Sequence, residues 1–377
     1  MRIACVAPSA VPSTTANSIQ AMKACHALAQ VDGPVRLWVP GELPTAWTDL
    51  AKRYGLKTPF EVSWLRSPRF LRRYDFAWRS VQQAKAWKAD LIYTWLPQAA
   101  VLTLWSGLPA ILEVHDLPSG LLGPRFFRRF LRQSGKKRLL VITEALRSKL
   151  DKAYRLTLGP DQVLIAPNGS EPERYTELPE PAEARRQLGL PEGFTAVYTG
   201  HFYHGRGMDI LFGLAEFFPQ VNFLWAGGRD KDVASWKKYL EQAGIRNVAL
   251  TGFIENQDLP LYQAAGEVLL MPYEREISGS SGGNSVDICS PMKMFDYLAV
   301  GRVILASDLP VLHEVLNVGN AILCPPEALS GWQQALANVL ADPIHCQQLA
   351  GQARSDSVRY SWQERARRAL SGFCQPA

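Results

Sequence analysis

Short apolar runs recur along this chain, and the stretches between them repeat their apolar positions at helical spacing. Runs at 2–8, 35–40, 91–96, 110–115, 138–143 and 163–166 predict buried strands. Segments 18–30, 47–54, 74–88, 125–132 and 145–156 predict the helices between them. Such alternation builds a parallel sheet covered on both faces. The pattern breaks over 168–181, NGSEPERYTELPEP, whose polar, acidic and proline-bearing composition predicts a linker. A second alternation follows, with strands predicted at 195–199, 222–226, 248–253, 268–272, 303–306 and 321–324. Helices at 233–242, 258–265 and 291–300 lie among them, and the tail from about 329 is predicted helical in three pieces. A polar break at 355–357 precedes the last piece, 362–373. The expectation is an α/β chain of two Rossmann-like domains, 1–175 and 176–358, with a tail helix, 359–377, crossing back to the first. A cleft is expected where the strand C-termini of both sheets face each other, since ligands of open α/β sheets bind at that edge.

At 377 residues, 47% hydrophobic and 20% charged, the chain is long enough for two full cores. A net charge of +6, with pI near 9.0, favours anionic partners. The six cysteines are scattered, form no CxxC pair and read as reduced thiols. MRIACVAPSA reads as a strand rather than a signal peptide, and no run reaches about 18 apolar residues. A cytoplasmic protein, or one on the cytoplasmic face of a membrane, is expected. The turn after the first strand, VAPSAVPSTTANS, lacks any glycine, which argues against an NAD or FAD fingerprint. Asn17 or Ser18 there suits a helix cap.

The candidate chemistry gathers around 290–309, SPMKMFDYLAVGRVILASDL. Ser290 suits an N-cap, Pro291 a first helical position and Gly301 a left-handed stop. The helix is almost wholly apolar, and Lys293 and Asp296, three apart, are its only charges. Two readings stay open: an ordinary ion pair, or a seat for a phosphate and a hydroxyl-rich group. Gly200 opens the strand-to-helix loop HFYHGRG, where Arg206 and glycine-exposed amides suit a diphosphate; the alternative is a structural turn. His201 and His204 in that loop lack a third ligand, so no metal is expected. The stretch 272–289, PYEREISGSSGGNSVDIC, has two readings: a disordered surface loop, or amides, at Ser281, Gly282, Gly283 and Asn284, that wrap a donor's phosphate and sugar. His115, in the strand-end group Glu113–Val114–His115–Asp116, either meets a substrate hydroxyl or is merely held by Asp116. Two basic aromatic stretches, 67–79 and 126–140, read as membrane-surface elements or as solvated helix faces.

These residues carry a resemblance. HD at 115–116, APNG at 166–169, YTGHFYHGRGMDIL at 198–211, LTGFIENQDLPLYQAA at 250–265, VLLMPY at 268–273 and SPMKMFDYLAVGRVILASDLPVLHEVL at 290–316 resemble, in order, the blocks of the family-four retaining glycosyltransferases of GT-B fold. The resemblance spans nearly the whole chain. It implies sugar transfer from a nucleotide diphosphate sugar to a hydroxyl, with no metal and no covalent enzyme intermediate. By that likeness Arg206 and Lys293 contact the diphosphate, Asp296 the ribose, and His115 the donor sugar, with Gly200 and Ser290 lining the donor site. The tail near Trp362 braces the N-terminal domain. The chain departs from the pattern where Ile288 stands at the first acid of E-x7-E, with Asp287 one position off, and where His201 replaces a common Arg. The expected acceptor is a lipid-linked saccharide or cell-surface polysaccharide precursor, and domain closure is expected to assemble the site. The rival readings are a nucleotide-sugar epimerase or hydrolase of the same fold and a weakly catalytic binding subunit. Nucleic acid rests on pI alone and is not expected.

Overall fold

Seven parallel strands run through the first part of the chain in the computed structural model, which describes residues 1–68, 71, 73–276 and 285–373. They are β1 (Ile3–Val6), β2 (Val35–Pro40), β3 (Glu61–Leu65), β4 (Leu91–Thr94), β5 (Ala110–Val114), β6 (Lys137–Val141) and β7 (Val163–Ile165). Their order is β3-β2-β1-β4-β5-β6-β7, so the winding reverses between β1 and β4. Between them lie α1 (Ala16–Val31), α2 (Trp47–Tyr54), α3 (Tyr74–Ala86), α4 (Pro97–Trp105), α5 (Gly123–Arg132) and α6 (Glu144–Tyr154). The central strands IACV, LIYT and AILEV are buried at every position, as a sheet with helices on both faces requires. Two elements escape the sequence pattern. β3, EVSWL, is a half-buried edge strand without a continuous apolar run. α4, PQAAVLTLW, is apolar nearly all round and shows no periodicity to read. Thr15, not Asn17 or Ser18, takes the N-cap position of α1; Ser18 instead shares a 2.6 Å hydrogen bond with the Tyr54 hydroxyl.

The second part holds α7 (Pro181–Leu188), β8 (Thr195–Thr199), α8 (Met208–Phe217), β9 (Asn222–Ala226), α9 (Asp230–Gln242), β10 (Val248–Gly252), α10 (Leu259–Ala264) and β11 (Val268–Met271). It continues with α11 (Met292–Val300), β12 (Val303–Ser307), β13 (Ile322–Cys324), α12 (Leu329–Ala341) and α13 (Pro343–Ser357). Its six parallel strands order β10-β9-β8-β11-β12-β13 around a core that includes Tyr198, Trp225, Leu270, Leu305 and Trp332. The last helix, α14 (Trp362–Leu370), packs on α1. The chain therefore divides into one unit of Met1–Asn168 with Trp362–Ala377 and another of Gly169–Ser361. Both are Rossmann-like α/β sheets.

Three sequence expectations are corrected. α11 begins at Met292 with Pro291 in the cap position, at ψ 124°, so Ser290 lies outside the helix and is not its cap. The proline's fixed φ of −66° suits a first helical turn, but its ψ is extended, and the helix starts one residue late. The linker expected over 168–181 is confined to its start: the units divide between Asn168 and Gly169, while Ser170, Glu171 and Tyr175 are buried and Ser170 bridges to Ser361 within the second unit. The expected break at 355–357 forms the last residues of α13, where Ser357 satisfies its hydroxyl on the Arg354 carbonyl, and the α-helix ends with Ser357.

Candidate active site

In the second unit, the C-terminal ends of β8 and β11 converge on α11. Tyr297 fixes that helix: its hydroxyl meets Thr199 N at 2.9 Å and donates to the Leu270 carbonyl at 3.3 Å. Lys293, one turn earlier on the same face, is thereby aimed at the ends of these strands. Its Nζ lies 3.9 Å from the centre of the Tyr198 ring and 5.6 Å from that of Tyr273. The nitrogen is buried and makes no hydrogen bond among the described residues.

The loop after β8 brings the second cation. Gly200, Gly205 and Gly207 have φ of 142°, 88° and 63°, which side chains rarely adopt. At Gly207 a Cβ would also sit 1.9 Å from the Pro272 carbonyl oxygen. The Glu274 carboxylate ties the turn by accepting from Gly205 N at 3.2 Å and Gly207 N at 3.0 Å. Tyr198 closes it by donating to the His201 carbonyl at 2.7 Å. Arg206, so placed, donates to the Tyr203 hydroxyl at 2.9 Å and lies over Tyr203 at 5.0 Å and Tyr273 at 4.9 Å. Arg206 and Lys293 thus share the Tyr273 ring, with no carboxylate bonded to either among the described residues.

The two cations respond differently to burial. For Arg206 burial opposes the charge, but Tyr273, Tyr203 and Tyr198 outweigh it and its pKa moves up. For Lys293 burial, and then the Arg206 charge, push the pKa well down. A desolvated cation–π contact is worth about 2 kcal/mol. That does not offset the several kcal/mol lost in desolvating an ammonium ion.

Asp296 turns elsewhere, so the ion-pair reading of Lys293 and Asp296 fails. Its carboxylate accepts from the buried Tyr175 hydroxyl and lies near Arg174. Arg174 in turn bonds Glu171 at 3.3 Å, Asn256 Oδ1 at 2.9 Å and the Asn256 carbonyl. Position 288, where an acid was missing, is a core isoleucine at 4% exposure. Ser290 is buried. Ser281, Gly282, Gly283 and Asn284 lie outside the described residues.

In the first unit, Glu113, the next-to-last residue of β5, stands at the centre of a buried network that its strand-end position does not reveal. Glu113 is buried, and its Oε1 accepts from Gln20 at 2.7 Å, Arg365 at 2.6 Å and His115 at 2.6 Å, while Oε2 accepts from Tyr93. Burial alone would raise its pKa, but Arg365 and then His115 and Tyr93 hold it at about 2. An anionic carboxylate only accepts, so His115 carries a proton on Nε2 and keeps Nδ1 for a partner. Asp116 is not the holder: it is exposed, and Oδ1 caps the Leu117 amide at 2.7 Å. Arg365 comes from α14 and also donates to the Ala166 and Pro167 carbonyls. No local pattern announces Arg365, but Ala366, Ala369 and Leu370 place it beside an apolar face. Tyr198 falls in a predicted buried strand and Tyr273 in the stretch 272–289; their position at strand ends is the available signal.

Gly200 offers a direct test of the amine's placement. A Cβ there would come 2.7 Å from Lys293 Nζ and 3.2 Å from Cε. Gly200→Ala should therefore displace the amine, and a misplacement of about 1 Å costs about a hundredfold in rate. Turnover beside a circular-dichroism control checks this; an undiminished rate would mean the amine's position is immaterial.

Two Rossmann-like parallel sheets of seven and six strands are the architecture of a GT-B glycosyltransferase. The chain belongs to the family-four glycosyltransferases: residues 20–174 match the domain Glycosyltransferase Family 4, and 193–342 match Glycosyl transferases group 1. D-inositol 3-phosphate glycosyltransferase of Xylanimonas cellulosilytica is 25% identical over 78% of this chain and 68% of its own length. Alpha-galactosylglucosyldiacylglycerol synthase of Streptococcus pneumoniae is 25% identical over 53% of this chain, which spans about half of that relative, 52%. Among solved structures, HepE of Anabaena in complex with UDP superposes with a TM-score of 0.74 at 17% identity, covering 98% of this chain and 99% of that one. WaaG, a glycosyltransferase involved in lipopolysaccharide biosynthesis, gives 0.66 at 17% identity over 99% and 100%.

Proposed function

We propose that this glycosyltransferase moves a sugar from a nucleotide diphosphate sugar to an acceptor hydroxyl, with retention of configuration. The observation that carries the reading is the pairing of Arg206 and Lys293 across Tyr273, without a carboxylate to neutralise either. As the bond from sugar C1 to the diphosphate breaks, negative charge grows on the departing oxygen. The Arg206 guanidinium, the Lys293 amine once protonated and the amides of the glycine turn are suited to stabilise that charge, usually the largest catalytic term. The acceptor oxygen bonds to C1 on the same face, and its proton passes to the departing phosphate. His115, with Nδ1 available, is proposed to hold a donor-sugar hydroxyl, and Asp296, braced by Tyr175, the ribose. The crystals of HepE with UDP support a nucleotide donor. A thermal-shift screen against UDP, GDP, ADP and their sugars tests the reading: one base series should raise Tm selectively by mass action. Uniform silence would overturn it.

The core isoleucine at 288 favours a second reading, a binding subunit with little turnover. Donor consumption measured with and without membrane extract separates it, since transfer requires acceptor-dependent turnover.

The acceptor is proposed to be lipid-linked, reached by electrostatic contact with a membrane. No described helix is long and apolar enough to cross one. The aromatics Phe127 and Phe130 of α5 are buried in their own unit, so that helix does not offer an apolar face. What it exposes is Arg125, Arg128, Arg129 and Arg132, with Trp105 beneath Arg129 at 5.8 Å and Leu121 72% exposed nearby in sequence. Each basic residue near an anionic surface contributes on the order of 1 kcal/mol. Flotation should find the protein on phosphatidylglycerol vesicles and not on phosphatidylcholine, with the signal lost on reversing these four charges. Binding indifferent to lipid charge would remove the proposal. Of the second basic stretch, Arg69, Phe70 and Arg72 lie outside the described residues.

A further inference from the structure

Lys293 Nζ is enclosed by aromatic faces and backbone. From β8 and its loop come the Tyr198 ring, Gly200 and Arg206; from the end of β11 comes Tyr273. The other titratable groups close by are Tyr203 beneath Arg206, His201 stacked on Tyr203, and Cys289, whose thiol is pushed up to about 12 by burial. On its own helix stand Asp296, bonded to Tyr175, and Tyr297, bonded to Thr199 and Leu270. Glu274, next to Tyr273, is turned to the Gly205 and Gly207 amides, and among the described residues the charge that acts on Nζ is that of Arg206, which repels. Residues 277–284, ISGSSGGN, contain no acid that could offset it. Among the described residues a protonated amine here would have neither counter-ion nor hydrogen bond, yet the catalytic reading needs it charged.

We infer that Lys293 waits as an uncharged amine and takes up a proton as the diphosphate binds, so that each donor molecule enters with one proton. The inference rests on the donor reading above, which says where the diphosphate sits. It also follows from charge. Both phosphates of a nucleotide sugar are ionised diesters with no proton to give near neutral pH, so the proton comes from solvent. The balance is one amine, one proton and one dianionic diphosphate giving an ammonium–diphosphate pair, with no covalent bond to carbon changed. The sign follows by linkage. Above the amine's pKa before binding, each binding event takes up a proton, and affinity falls as pH rises. Below that pKa the amine is already charged and affinity is flat. The arrangement selects for a doubly charged ligand, because a neutral sugar or nucleoside supplies nothing to hold the proton.

Calorimetry tests this with the nucleotide sugar that the thermal screen selects, titrated in PIPES, HEPES and Tris at one pH. The apparent enthalpy should vary linearly with the buffer's ionisation enthalpy, with a slope of about one proton taken up at pH 8. Affinity should weaken by up to about tenfold per pH unit above the break. Lys293→Arg, which keeps its charge throughout, and Lys293→Met, which cannot gain one, should both lose that slope. A bound nucleotide sugar with zero proton uptake in the wild type would overturn the inference alone. So would an unchanged slope in either variant, which would assign the proton to another group such as His201. Absence of binding by every nucleotide sugar would overturn the donor reading and this inference together.

Discussion

Arg206→Ala and Lys293→Met are each expected to lower kcat by about 10²–10³-fold or more, the loss seen when one preorganised donor to developing charge is removed. The donor KM should change less, because the missing contact matters most when the leaving oxygen is fully charged. Arg206→Lys should recover only part of the rate. A lysine cannot both reach the Tyr203 hydroxyl and present a planar fork across Tyr273. The double variant should fall short of the product of the two singles, since both cations act on one leaving group. Steady-state kinetics with the selected nucleotide sugar decides the matter, beside far-ultraviolet spectra to show an intact fold. Near-normal kcat in both single variants would remove the leaving-group mechanism.

Removing one partner of the Glu113–Arg365 pair is expected to destabilise the protein by about 3–5 kcal/mol, because it strands a buried charge. Arg365→Met leaves the carboxylate with His115, Tyr93 and Gln20; Glu113→Gln leaves the guanidinium on carbonyls and the Tyr93 hydroxyl. Removing both with apolar residues should cost less than the sum of the two. The pair also sets an acid limb. Glu113 is held at about 2 against a usual 4.5, so its contribution is present in full above about pH 4.5. It is lost as pH falls from there toward 2, and it amounts to about 3 kcal/mol. Tm measured between pH 7 and 3 should therefore drop steeply for the wild type and more gently for Arg365→Met. Identical acid limbs would show that the guanidinium does not hold the carboxylate ionised. Activity should fall alongside stability, since the same carboxylate orients His115.

The strands of both sheets were readable because buried parallel strands are short, continuous apolar runs, and IACV, LIYT and VILAS could be little else. β3 was not, because an edge strand with one wet face does not need such a run. The loop at Gly200–Gly207 and the charges on α11 were readable as unusual residues in apolar surroundings. Their partners were not. Tyr198 and Tyr273 serve as faces for cations, a use that an apolar strand pattern conceals in the first and a loop composition in the second. Arg365 meets Glu113 from 252 residues away, and no periodicity reports a contact at that distance. An i,i+3 spacing allows Asp296 to share a face with Lys293. Tyr175, from the stretch read as a linker, draws its carboxylate to a different neighbour.

The return of the chain at Trp362 has a consequence for synthesis. The ribosome finishes all seven strands of the first sheet, then makes the whole second unit, and only afterwards delivers Arg365. At ordinary elongation speeds that interval is on the order of ten seconds or more. Throughout it Glu113 has no guanidinium, and the surface of α1 that α14 will cover stays open to chaperones and to other nascent chains. A circular permutant that places Trp362–Leu370 ahead of Met1 would supply the arginine first and should shorten this vulnerable period.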